Sequence, residues 1–350
     1  MSNTWWVFED DKRSPSGDLI KWPRRGASLY GLYGDPGWDY RTFAHILSDC
    51  GLNWTTWWGW GGWINWEGRM PFLRVSSNGP WDLYKWNEQA FDDAEEMVRY
   101  FNSCGIRVLW NIVDLYPWSA EKAGLPGIIN PDNGPFRYNV NSLRWGTGPG
   151  SHPDDPFYLE APNGGPITGP PWLRDYILKL VGRLKGLGVD FQTGNECPES
   201  GLQDRIRDLV KSVWPDARVT TSRNSDSPGQ YANMVEAHHF EAINFHGWKN
   251  MDRMYEVFHE EDGTGRPQTY AQLLNSSADN TKIIACSDGA RSNTTNYPYD
   301  LPRLLGAFKY AAVHGCGIDH QSGAKMVLYN EGRHDLSYVE TDFLKDLANL

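Results

Sequence analysis

Two short stretches hold carboxylates in settings that suit bond cleavage. Thr193-Gly194-Asn195-Glu196-Cys197-Pro198 and Ala285-Cys286-Ser287-Asp288-Gly289 both carry an acid where an apolar run gives way to small residues and turn formers. Cutting a glycosidic bond needs two such groups, one to protonate the leaving oxygen and one to attack the sugar or activate water. Glu196 and Asp288 are therefore the candidate catalytic pair. A third stretch stands out by composition: six of the 18 tryptophans fall at Trp54, Trp57, Trp58, Trp60, Trp63 and Trp66, interleaved with glycine. Interiors are built mainly from Leu, Ile and Val, because an indole N–H needs a partner. Rigid aromatic faces among glycines suit a ligand that is flat on one side and polar at its rim, as a sugar ring is. Trp58, Trp60 and Trp63 are the candidates for such contact, while Trp54 and Trp57 are expected to pack the wall of the fold.

The elements that must position these groups alternate along the chain. Eight β-like runs can be read: Ala27–Tyr33, Asn53–Gly59, Arg107–Leu115, Asp190–Glu196, Arg218–Arg223, Ala242–Trp248, Lys282–Asp288 and Gly317–Gln321. Helical spacing falls between them, in Phe91, Ala94, Met97, Val98 and Phe101, and in Leu202, Ile206, Leu209, Val210 and Val213. Ser200 with Gln203 three residues on reads as a capping box opening the second of these helices. Four junctions share a glycine before an aliphatic residue: Cys50-Gly51-Leu52, Cys104-Gly105-Ile106, Leu187-Gly188-Val189 and Cys316-Gly317-Ile318. Each glycine is expected to stop a helix in the left-handed conformation, with the cysteines as small buried hydrophobes at the base.

Eight strand-helix units predict an α/β fold, a (β/α)8 TIM barrel in one domain over 1–350, with residues 1–25 as an N-terminal extension. A doubly wound open sheet is the alternative, though no GxGxxG follows the first strand. Two long insertions follow strands two and three, Gly59–Trp86 and residues 117–171. The second holds 9 Gly and 11 Pro. Loops after strand C-termini enlarge the face where barrel active sites are built.

Composition excludes several classes. With 33 Lys+Arg against 44 Asp+Glu the chain carries a formal charge of −11, and no basic run exceeds two residues, so neither nucleic acid nor an anionic membrane is an expected partner. Five scattered cysteines without CxxC spacing suggest neither disulfides nor zinc. His238, His239 and His246 lack metal-ligand spacing, so no metal and no cofactor are expected. The N-terminal MSNTWWVFEDDKR has no apolar signal core. A cytoplasmic protein is the reading as written, with a released, virion-associated or trimmed secreted form as alternatives. Oligomeric state is left open.

In these motifs and their order the chain resembles clan A glycoside hydrolases, most closely the cellulase and mannanase family, family 5. Asn195-Glu196, followed by Pro198, resembles the family's strand-four Asn-Glu-Pro, where Glu is general acid/base and Asn holds the sugar 2-hydroxyl. Asn244-Phe245-His246-Gly247-Trp248 resembles its strand-six pattern, and Ile283-Ile284-Ala285-Cys286-Ser287-Asp288-Gly289-Ala290 the strand that ends in the nucleophile. Ile112-Val113-Asp114-Leu115-Tyr116 is similar to the strand-three pattern, with Tyr116 where His is usual. The family's nucleophile is Glu, and Asp288 is one methylene shorter. Unless the backbone compensates, that would widen a retaining separation of about 5–5.5 Å toward the inverting range of about 6.5–9.5 Å.

The resemblance implies an endo-acting hydrolase of a β-linked polysaccharide or oligosaccharide. Glu196 and Asp288 would be catalytic, and Asn195, Tyr116, His246, Trp248, Trp58, Trp60 and Trp63 would hold substrate. Asp114, Glu199, Asp319 and Glu331 are read as supporting or solvated acids. The alternative is a non-catalytic carbohydrate-binding barrel, such as a virion or surface recognition protein, and a third reading is a barrel isomerase or lyase.

Overall fold

The computed structural model describes residues 24–29, 32–33, 37–58, 69–77, 81–112, 172–194, 200–222, 242–245, 283–286, 301–313, 316–321 and 334–350. Eight strands form a closed barrel: β1 (Arg25–Ser28), β2 (Trp54–Trp58), β5 (Arg107–Asn111), β6 (Val189–Gln192), β7 (Val219–Ser222), β8 (Ala242–Phe245), β9 (Ile283–Cys286) and β10 (Gly317–Gln321). Each pairs in parallel with its neighbours in that order, and β10 returns to β1 through Arg25↔Ile318 to Ser28↔Gln321. Parallel neighbours need crossovers, and the described ones are α1 (Tyr40–Asp49), α2 (Glu88–Ser103), α3 (Trp172–Leu184), α4 (Ser200–Val213) and α5 (Leu301–Val313), with α6 (Thr341–Ala348) after β10. The expected (β/α)8 architecture is the one observed, and closure removes the open-sheet alternative.

Boundaries moved by a few residues. The first strand begins at Arg25, the last residue assigned to the extension, and the fourth ends at Gln192, four residues short of Glu196. The insertion after β2 is not loop throughout. Its second half is an antiparallel hairpin, β3 (Phe72–Arg74) with β4 (Trp81–Trp86), in which Phe72 stacks on Trp86 at 5.0 Å between centroids. Asn87, just before α2, donates from its side-chain amide to Met70 O at 2.9 Å and closes the hairpin's base.

The glycine stops follow helix length rather than the motif read from sequence. Gly51 and Gly105 have φ of 82° and lie two residues beyond the ends of α1 and α2. Leu52 N–H bonds Leu47 O at 3.0 Å and Ile106 N–H bonds Phe101 O at 2.9 Å, closing the last turns. At the third junction the left-handed residue is Gly186, at the same offset from Leu184, and not Gly188. Gly317 opens β10 and stops no helix. Cys50 and Cys316 are buried there as expected, and Cys104 is half-buried.

The main core lies between barrel and helices. Val108, Trp110, Val189 and Phe191 of the strands meet Phe91, Val98 and Phe101 of α2 and Ile177, Leu180 and Val181 of α3. β2 shows how one strand serves both sides. Trp57 points outward, 5.0 Å from Phe101 and 5.7 Å from Trp110, whereas Trp54 packs with Leu109 in a separate cluster inside the barrel. Both rings are fully buried, as expected for these two tryptophans. Among the described residues no helix is long and apolar enough to cross a membrane.

Candidate active site

Because all eight pairings are parallel, every strand delivers its C-terminus to the same face of the barrel. β6 leads from Gln192 through Thr193 and Gly194 toward Asn195 and Glu196, and β9 leads from Cys286 toward Asp288. Two strands, β7 and β8, stand between them in the ring. Asn195, Glu196, Asp288, Tyr116, His246, Trp248, Trp60 and Trp63 lie outside the described residues. So do Trp66, Asp114, Glu199, Glu331, His238, His239 and the 117–171 insertion. Trp58 closes β2 by its backbone.

The described interior beneath this face is polar. Thr56 donates to Asp319 Oδ2 at 2.6 Å, joining β2 to β10 across a sequence separation of 263. Asp319 is 1% exposed, so it is neither solvated nor peripheral. Asn111 and Gln192, in register on β5 and β6, are both fully buried, and Gln192 Nε2 stands 3.5 Å from Asn111 Oδ1. On the outer side of the barrel, against α4, the hydroxyls of Thr193 and Thr221 both donate to Gln203 Oε1, the first at 2.8 Å.

That last arrangement revises the capping-box reading. Ser200 is the first helical residue of α4 and so is not its cap, and the Gln203 oxygen serves two threonines of the barrel. A capping box needs that oxygen turned back to the cap's own N–H. Here the buried hydroxyls compete for it and win.

Deeper in the barrel is a charged cluster that sequence reading overlooked. Arg107 donates to Asp190 Oδ1 through Nε at 2.9 Å and an Nη at 2.6 Å, both residues being buried. The Arg24 guanidinium lies over the Trp54 ring at 5.1 Å from its centroid. Burial by itself would raise the Asp190 carboxyl, but the charges of Arg107, Arg218 and Arg24 outweigh it and hold the group below the usual carboxylate range. The available signal was a charged residue alternating with apolar ones inside a short strand, as in Val189-Asp190-Phe191-Gln192. Nearby, burial pushes the Cys316 thiol up to about 12, a rise only partly opposed by Arg25.

Among the described residues no group of three or more His, Cys, Asp or Glu is placed to hold a metal ion. What the described part provides is a closed frame whose interior holds hydroxyl, amide and carboxylate groups. At one face of it, β6 and β9 end a few residues before Glu196 and Asp288.

No protein-family model matches the chain, and no curated protein sequence does. Solved structures do. An endo-β-1,4-mannanase from Thermotoga petrophila is similar with a TM-score of 0.55 and 12% identity, covering 98% of this chain and 78% of that one. An endo-1,4-β-mannanase from Rhizomucor miehei gives 0.55 and 12%, covering 94% and 95%. A glycoside hydrolase family 5 mannosidase from the same organism, in complex with mannosyl-fructose, gives 0.51 and 14%, covering 94% and 92%. The chain thus shares the (β/α)8-barrel fold of these enzymes, one of them a family 5 glycoside hydrolase, and of an endoglucanase, Cel5A, from Thermobifida fusca.

Proposed function

We propose that the chain is a glycoside hydrolase that cuts a β-linked polysaccharide or oligosaccharide, with Glu196 as general acid/base and Asp288 as nucleophile or base. The observation that carries this reading is the closed parallel barrel, from whose C-terminal face β6 and β9 send out the two chain segments that bear these acids. Barrel enzymes build their sites at that face from residues at the ends of different strands. The similar solved structures include endo-acting mannanases, which supports the substrate class.

In this mechanism Glu196 protonates the glycosidic oxygen as the bond to the anomeric carbon breaks. Asp288 either attacks that carbon or removes a proton from an incoming water. Asn195, Tyr116, His246 and Trp248 orient the sugar at the point of cleavage. Trp58, Trp60 and Trp63 bind flanking sugars by their ring faces. The Asp288 side chain, shorter than Glu, favours the wider carboxylate separation and hence inversion of configuration.

The test is turnover on β-glucans, mannans, xylans and chitosan, with Glu196→Ala and Asp288→Asn as controls and the anomer of the first product read by NMR. Reducing ends that vanish in both variants support the hydrolase. Sugar binding with no turnover in the wild type refutes it in favour of a carbohydrate-binding barrel, and an unsaturated product refutes it in favour of a lyase.

A further inference from the structure

We propose that Gln203 is a positioning residue that sets the direction in which the chain leaves β6, and through it the placement of the general acid; this rests on the hydrolase reading above. Gln203 sits in the first turn of α4 and is 0% exposed. Its side-chain oxygen accepts from two places at once, from Thr193, the residue after β6, at 2.8 Å and from Thr221 in β7. Thr193 is also tied to β7 through its own N–H, which bonds Thr220 O at 2.9 Å. Thr193 is thereby held at its backbone and at its hydroxyl, and both it and Thr221 are fully buried.

Gly194, whose backbone is the most permissive of any residue, comes next, and Glu196 follows three residues after Thr193. The segment between Thr193 and Gln203 contains both Asn195 and Glu196, and its two ends are joined by this hydrogen bond. Closing a ten-residue span through its terminal side chains removes much of the freedom that a glycine-containing connection would otherwise have. The buried amide oxygen serves two hydroxyls of the barrel and not the first turn of its own helix. The clamp's position, immediately before the acid, gives it a use in catalysis that packing alone does not require.

Three variants isolate the clamp: Gln203→Met removes the acceptor, Thr193→Val removes one donor at unchanged shape, and Thr193→Ser keeps that donor while losing a methyl. Steady-state kinetics on the best substrate and the pH profile are measured for each, with thermal unfolding to confirm that it folds. We expect Gln203→Met and Thr193→Val to lower kcat roughly 10- to 100-fold with KM within about threefold, because a misplaced acid acts mainly in the transition state. The alkaline limb of the profile, which reports the protonated acid, moves in both. Thr193→Ser stays close to wild type in kcat and in that limb.

Wild-type kcat and an unmoved limb in Thr193→Val overturn the assignment. So does a loss in Thr193→Ser equal to that in Thr193→Val, since the methyl and not the hydroxyl would then matter. If the wild type itself fails to exceed the Glu196→Ala control on every glycan, the hydrolase reading falls and takes the clamp's catalytic role with it.

Discussion

Replacing Asp190 by Asn should destabilise the barrel more than any other single charge removal among the described residues, and more than removing its partner. Asp190 is 1% exposed and its Oδ1 accepts both hydrogen bonds from Arg107, while Arg218 and Arg24 add positive charge around it. Breaking a buried ion pair by removing one member costs about 3–5 kcal/mol, since the other charge stays buried. Asp190→Asn leaves the charges of Arg107, Arg218 and Arg24 without the carboxylate they act on, whereas Arg107→Met leaves that carboxylate with two cations still near. The first loss must therefore exceed the second.

With an unfolding entropy of roughly 2.1 cal/mol/K per residue over 350 residues, 3–5 kcal/mol corresponds to a fall in Tm of about 4–7 °C. Scanning calorimetry at neutral pH measures it. The native carboxyl titrates below the unfolded one, so its contribution is fully present above about pH 4 and is lost as the pH falls through the native value. The Tm gap between wild type and Asp190→Asn should thus hold steady from about pH 5 to 8 and narrow toward more acid solution. A fall under 1 °C, or a larger loss in Arg107→Met, would show that the cluster does not hold these strands together.

Other outcomes separate structure from recognition within the tryptophan run. Trp57→Ala should cost about 3–5 kcal/mol by calorimetry, because the ring is fully buried against Phe101 and Trp110. Trp60→Ala should stay within about 0.5 kcal/mol of wild type in stability while weakening oligosaccharide binding by titration calorimetry. Cys316, with its thiol pushed up to about 12 by burial, should resist iodoacetamide near pH 8 in the native protein and react on unfolding, whereas half-buried Cys104 reacts earlier in a peptide map.

How far the fold was legible depends on how local its causes are. The amphipathic spacing of Phe91, Ala94, Met97, Val98 and Phe101 marks a helix because its neighbours lie three and four residues apart, and all five are buried as that spacing requires. The helix stops at Gly51 and Gly105 are local for the same reason. Gly186 and Gly188 are each followed by an aliphatic residue, Leu187 and Val189, so the local pattern does not choose between them, and the end of α3 at Leu184 does. The split of Trp54 and Trp57 between the inside and the outside of the barrel follows from strand alternation alone, yet which face is inside depends on closure.

The sequence alone therefore determined the alternation of strands and helices, the two acid-bearing strand exits and the aromatic run after the second strand, since each is written in neighbouring residues. Tertiary structure alone decided the buried polar contacts. Thr56 meets Asp319 across 263 residues, Arg107 meets Asp190 across 83, and Gln203 turns from its own helix to two threonines, one of them 18 residues away. Only the ring of parallel strands brings such partners within hydrogen-bond reach, because hydrogen bonds act over a few ångströms, solvent screens charges beyond about 10 Å, and nothing in the local chain draws one partner toward the other.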